Sequence, residues 1–172
     1  SVIVPLAETN LILALFLLMI STIILGMGLP SAVCYLLMAT LVGPIFGELG
    51  LVPLAIHLFI FYFGMMSMVT PPVALASYTA SAIAESSTLT SAFASFRFAL
   101  IGFALPYCFV LNPELLLLSP SGGTASTIAV ISAILITGLG IIPLASAVTG
   151  RFKTHLGISS RLILLAASGV LL

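Results

Sequence analysis

Two hydrophobic stretches of this chain are interrupted at their centres by helix-breaking residues: Leu25-Gly26-Met27-Gly28-Leu29-Pro30-Ser31 and Met68-Val69-Thr70-Pro71-Pro72-Val73. The sequence around both breaks is apolar enough to lie in lipid, where a carbonyl or amide released from its helical partner finds no water. Irregular backbone at that depth persists only when it is buried in protein or lines a wet cavity. Two such interruptions close together are the pattern of a binding site assembled from half-helices.

Sixty-two per cent of the residues are hydrophobic and five per cent are charged. A soluble domain carries roughly a quarter charged residues, so this composition cannot cover a water-facing surface and implies an integral membrane protein. Four basic and four acidic side chains cancel, which removes the electrostatic case for a nucleic-acid partner. No charged segment or cleavage site precedes the first apolar run, so no signal peptide is visible. The chain starts at Ser1 and stops inside an apolar run at Leu172, and the expectation is an internal or C-terminal piece of a longer permease. Cys34 and Cys108 sit within apolar segments without a His or Cys at metal spacing, which reads as two buried small hydrophobes rather than a disulfide or metal site.

A spanning helix needs about twenty apolar residues. The first runs from about Asn10 to Leu25. After the Gly-x-Gly-Leu-Pro break, residues 31 to 46 extend only about 24 Å as a helix, short of the roughly 30 Å hydrocarbon core, which predicts a re-entrant or tilted arm. Gly47-Glu48-Leu49-Gly50 is a connector, and Pro53 suits the first turn of a helix that Pro71-Pro72 terminates near Val69. Residues 73 to 84 form a short arm rich in Ala and Ser, suited to close helix packing. Thr88 or Thr90 can cap the next helix, which carries Arg97 and ends at Asn112-Pro113-Glu114. A spanning helix from about Ala125 to Val148 precedes the basic segment Arg151 to Arg161, which the positive-inside rule places in the cytoplasm. The fold class expected is all-α and polytopic, with a re-entrant hairpin and a proline-broken helix. It reads as one membrane domain, residues 1–111 forming the core and 112–172 the C-terminal membrane helices.

The ordered motifs Leu25-Gly26-Met27-Gly28-Leu29-Pro30, His57-Leu58-Phe59-Ile60-Phe61-Tyr62-Phe63 and Ser67-Met68-Val69-Thr70-Pro71-Pro72-Val73-Ala74-Leu75-Ala76 carry a family resemblance, extended by Phe93 to Phe98 and Asn112-Pro113-Glu114-Leu115-Leu116. Together they resemble the DctM-like large permease subunit of tripartite ATP-independent periplasmic (TRAP) transporters, and are most similar to the fused permeases that serve TAXI-type receptors. Ser31 departs from the threonine more frequent in those permeases but keeps the hydroxyl. The resemblance implies the second half-repeat of an ion-transporter-superfamily fold in a bacterial or archaeal cytoplasmic (inner) membrane. It further implies elevator-type import of carboxylate-bearing solutes, driven by sodium without ATP or another cofactor. The implied partners are a periplasmic solute-binding receptor, the first repeat and small-subunit region of the permease, and lipid.

Sodium is a hard cation that takes oxygen ligands, and carbonyls freed by unwinding supply them without a carboxylate cage. Gly26 and Gly28 allow bending and close approach. Pro30, Pro71 and Pro72 each remove an amide and release a carbonyl one turn earlier. Ser31, Ser67 and Thr70 add hydroxyls, and Val69 lies at the centre of the second break. The half-helix after Pro72 presents the positive end of its dipole, suited to a substrate carboxylate. The plainer reading of each break is a proline kink satisfied by neighbouring helices. Arg97 is a charge within an apolar segment, available to a substrate carboxylate or to a structural contact, with Glu85 a possible partner. His57 reads as a structural histidine, with proton coupling as its alternative. A membrane-embedded enzyme is disfavoured, because the chain has no Asp, no His-Glu-x-x-His and only two distant His residues. A non-transporting permease remnant is the other alternative.

Overall fold

A computed structural model of the chain describes residues 10–120, 123–152, 154–155 and 157–171. Helix α1, Leu11–Gly28, begins where the Asn10 side chain accepts a hydrogen bond from the Leu13 amide at 3.0 Å, satisfying one of the first-turn donors a helix leaves open. Its buried stripe is Ala14, Leu15, Leu18, Met19, Thr22, Ile23 and Gly26, the three-and-four spacing of one helical face. The other face exposes Ile12, Phe16, Ile20 and Ile24, which suits contact with lipid rather than water.

The first break is narrower than the Gly-x-Gly pattern suggests. Gly26 and Gly28 both lie inside α1, and the chain leaves the helix only at Leu29, which is extended at φ −130° and ψ 151°. The reason is steric. Glycine lowers helix propensity without forbidding the helix, whereas the residue before a proline is pushed out of the helical region. Pro30 then precedes α2, Ser31–Leu41, and α3 follows as Gly43–Glu48. At eleven residues, α2 is about 16 Å long, below spanning length.

Helix α4, Pro53–Met66, starts on its proline and packs against both α1 and α2. It buries Ala55, Ile56, Phe59, Ile60, Phe63 and Gly64, with the Phe59 and Phe63 rings edge-on at 4.8 Å. Its end tightens into a 3-10 turn at Ser67–Val69 ahead of the two prolines, and α5 follows as Leu75–Ile83.

Close packing divides the chain into two compact units that meet at Phe96 and Arg97, within α6, Thr88–Gly102. In the second unit, α7 runs Ala104–Leu111. Pro106 explains the interruption at Phe103, because it cannot donate to the Gly102 carbonyl and crowds it. Helix α8, Thr127–Thr149, is capped by Ser126 and closed by Gly150 in the left-handed region. Strands β1, Arg151–Phe152, and β2, Thr154–His155, pair antiparallel, and α9, Ile158–Leu171, packs on α8. Arg161 therefore belongs to a helix rather than to the basic loop that its charge suggests. Among the described residues, Leu11–Gly28, Thr88–Leu111 and Thr127–Thr149 are long and apolar enough to cross a membrane. The fold class is all-α, apart from that one short hairpin.

The division between a packed face and a lipid face is testable. Phe59→Ala opens a cavity and is expected to cost roughly 3 kcal/mol, whereas Ile24→Ala on the lipid face changes stability by less than about 0.5 kcal/mol. Chemical unfolding in bicelles compares them, and equal losses would refute the assignment of faces.

Candidate functional site: two helix breaks packed on one another

The second break is held against the first by close backbone approach. A Cβ added at Gly26 would lie 2.6 Å from Ser67 Oγ, 3.0 Å from Ser67 Cβ and 3.3 Å from the Gly64 carbonyl oxygen. The last turns of α1 therefore lie directly on the 3-10 turn, and only glycine fits. One turn earlier in α4, a Cβ added at Gly64 would stand 3.8 Å from both Cys34 Sγ and the Ser31 carbonyl oxygen. Cys34 in turn donates to the Thr22 carbonyl at 3.4 Å, joining α2 to α1. Gly26, Ser31 and Ser67 are thus brought to one place by α4.

Hydroxyls supply the polar chemistry. Ser67 is 1% exposed and donates to the Gly64 carbonyl at 2.7 Å. Thr70 is buried and donates to the Met66 carbonyl at 2.7 Å. With their protons so directed, both oxygens keep lone pairs as acceptors. Proline at position 72 deprives the Met68 carbonyl of its helical donor. Thr70 accepts from Ala74 at 3.1 Å, and the Tyr78 hydroxyl donates to the Pro72 carbonyl. Pro71 and Pro72 are joined by a cis peptide bond. Ala74 occupies the left-handed region at φ 36° and ψ 48° immediately before α5, a conformation uncommon for a residue with a Cβ.

Ser77 is the residue that sequence reasoning missed. It is 3% exposed, and its Oγ has no hydrogen-bond partner among the described residues. A buried unpaired hydroxyl is costly, so an orphan of this kind invites a ligand or water. The signal lies in α5, which buries Ser77 and Ser81 while exposing Leu75 and Ile83. This inverted pattern at four-residue spacing marks a membrane helix with its polar stripe turned inward.

Other predicted positions are less enclosed. Val69 and Pro71 are half-buried, while Gly28, Pro30 and Pro72 are exposed. A Cβ at Gly28 would meet nothing within 4 Å. Arg97 belongs to the second unit, where its guanidinium donates to the Val148 carbonyl from Nε and Nη2 at 3.1 Å, and to the Thr149 carbonyl at 2.8 Å. His57 Nδ1 lies 3.1 Å from the Tyr35 hydroxyl, a contact that ties α4 to α2.

The two glycines separate packing from flexibility. Gly26→Ala forces a clash expected to cost about 1–3 kcal/mol, partly relieved in Gly26→Ala/Ser67→Gly. Gly28→Ala is expected to be neutral or stabilising by up to about 1 kcal/mol. Thermal unfolding in detergent measures both, and equal effects at the two positions would exclude the close approach.

Residues 1–123 match the family described as the tripartite ATP-independent periplasmic transporter, DctM component. No curated protein and no solved structure matches the chain. The matched segment covers most of the chain and contains both breaks, α4, and the inward serines of α5. The chain belongs to the DctM family of TRAP transporter permease components, and is therefore part of a transporter and not an enzyme.

Proposed function

We propose that this chain forms half of the translocation site of a sodium-driven permease, and that the packing of Gly26 on Ser67 is what creates the site. That contact sets the end of α1 against the 3-10 turn of the second break, which supports a site that joins the buried hydroxyls of Ser67 and Thr70 to carbonyls of both breaks. Sodium is the coupling ion, held by main-chain carbonyls around Pro30 and Pro71-Pro72 and by the hydroxyls of Ser67 and Thr70, with Ser31 at the rim. Oxygen-only ligation suits this cation. The orphan hydroxyl of Ser77 is a further oxygen in the same compact unit.

A substrate carboxylate is received at the amino end of α5, where first-turn amides and the helix dipole favour negative charge. The solute class is therefore carboxylate-bearing, delivered by a periplasmic receptor, of the TAXI type by sequence resemblance. The chain works in the cytoplasmic (inner) membrane with the remaining permease, including the first repeat and the small-subunit region. Transport follows elevator-type alternating access, in which the site moves with its rigid packed helices. Glycine and small-residue contacts such as Gly26 on Ser67 suit such a moving body, because close backbone packing keeps the breaks in register.

Sodium-dependent uptake by the full-length permease with its receptor in proteoliposomes tests this reading. Thr70→Val and Ser77→Ala are each expected to weaken sodium activation by about tenfold, the effect of losing roughly 1.4 kcal/mol of ion binding. Unchanged sodium affinity in both variants would sink the assignment.

A further inference from the structure

Two of the four basic side chains in the protein converge on one helix end. Arg97 from α6 and Arg161 from α9 both reach the carboxyl terminus of α8 and share the Val148 carbonyl: Arg97 at 3.1 Å and Arg161 at 3.4 Å. Arg161 Nε also donates to the Ala147 carbonyl at 2.7 Å. A helix carboxyl end carries about half a negative charge, so two guanidinium groups leave a clear positive excess. Their hydrogen bonds to α8 use Nε and Nη2, so that among the described residues the Nη1 donors of both are available. Arg161 Nη1 lies 3.5 Å from where a Cβ on Gly150 would stand, so the guanidinium sits beside the helix cap.

Beside the pair lies a cavity of about 420 Å³, lined by both arginines and walled by Leu100, Ile158, Leu162 and Leu165. The lining contains no carboxylate. Ile158 and Leu162 are largely exposed, and Arg151 and Lys153 follow α8 in sequence. The site thus joins an unneutralised cationic end to an apolar wall at the terminus of a spanning helix. A soluble anion has no use for that wall, and a neutral lipid has no use for the excess charge.

We propose that this cavity binds an anionic phospholipid. Its phosphate lies on the Nη1 donors of Arg97 and Arg161, bidentate recognition for which arginine is suited. Its acyl chain follows Leu100, Leu162 and Leu165. Basic pockets between membrane helices bind acidic headgroups in this way. The single negative charge of the lipid phosphate offsets part of the positive excess and bridges α6, α8 and α9 at one end.

The test uses the full-length permease in detergent, with phosphatidylglycerol, phosphatidylcholine or inorganic phosphate as probes. Native mass spectrometry reads retained lipid, and thermal unfolding reads the stabilisation. Phosphatidylglycerol is expected to bind about 25-fold more tightly than phosphatidylcholine, roughly fivefold for each basic residue. Arg97→Gln/Arg161→Gln is expected to abolish that preference. Because it also removes two helix caps, Leu162→Trp provides a second variant that fills the apolar wall and leaves both caps in place. It is expected to weaken phosphatidylglycerol binding at least tenfold. Equal retention of the two lipids, an equal thermal shift from inorganic phosphate, or full phosphatidylglycerol affinity in Leu162→Trp would each overturn the proposal.

Discussion

A peptide group freed inside a hydrocarbon layer has no water to bond, and this constraint governs the whole chain. It explains why the described structure is almost wholly helical, and why the departure at Ser67–Thr70 coincides with buried hydroxyls. Around Pro71-Pro72 the helix tightens into a 3-10 turn in which the Thr70 amide turns to the Ser67 carbonyl, and the side-chain hydroxyls of Ser67 and Thr70 bond the Gly64 and Met66 carbonyls of the preceding turn. Each of these hydroxyls stays within its own segment, four residues or fewer from its acceptor. The break is thereby stabilised locally while its oxygens remain available.

Packing then determines where such a break sits. In lipid the apolar surface of a helix gains little by leaving one hydrocarbon environment for another, so association relies on close contact and polar bonds. Gly26 against Ser67 supplies the contact, and the Cys34 to Thr22 and Tyr35 to His57 contacts tie the neighbouring helices. Helix α5 follows the same logic in reverse. Its serines turn inward and its leucine and isoleucine turn out, because the surroundings are apolar and the polar groups need partners within the protein.

The second unit applies the constraint to charge. An arginine in an apolar helix is expensive unless its donors are met, and the open carbonyls at the end of α8 meet them for both Arg97 and Arg161. Carbonyls satisfy hydrogen bonds without cancelling a formal charge, so the pair still favours an anion. Arg97, set apart in the sequence as a lone intramembrane cation, is in this way one of two residues serving a single helix end.

Much of this was legible in the residues. Apolar length and prolines at 30, 53, 71 and 72 determine where helices start and stop, because these effects act within one or two turns. The hydroxyls at Ser67 and Thr70 were likewise apparent from their place beside the prolines. Other features were not. Local propensity does not say whether Gly26 bends the chain or lets another helix approach; its neighbour Ser67 lies far along the sequence, and only tertiary packing shows the approach. The orphaned state of Ser77 and the partnership of Arg97 with Arg161 are also long-range facts. Sequence alone determined that the chain is a broken-helix membrane protein, since lipid restricts the backbone residue by residue. Tertiary structure decided which breaks meet and which polar groups are left without partners, since those depend on contacts between segments distant in the chain.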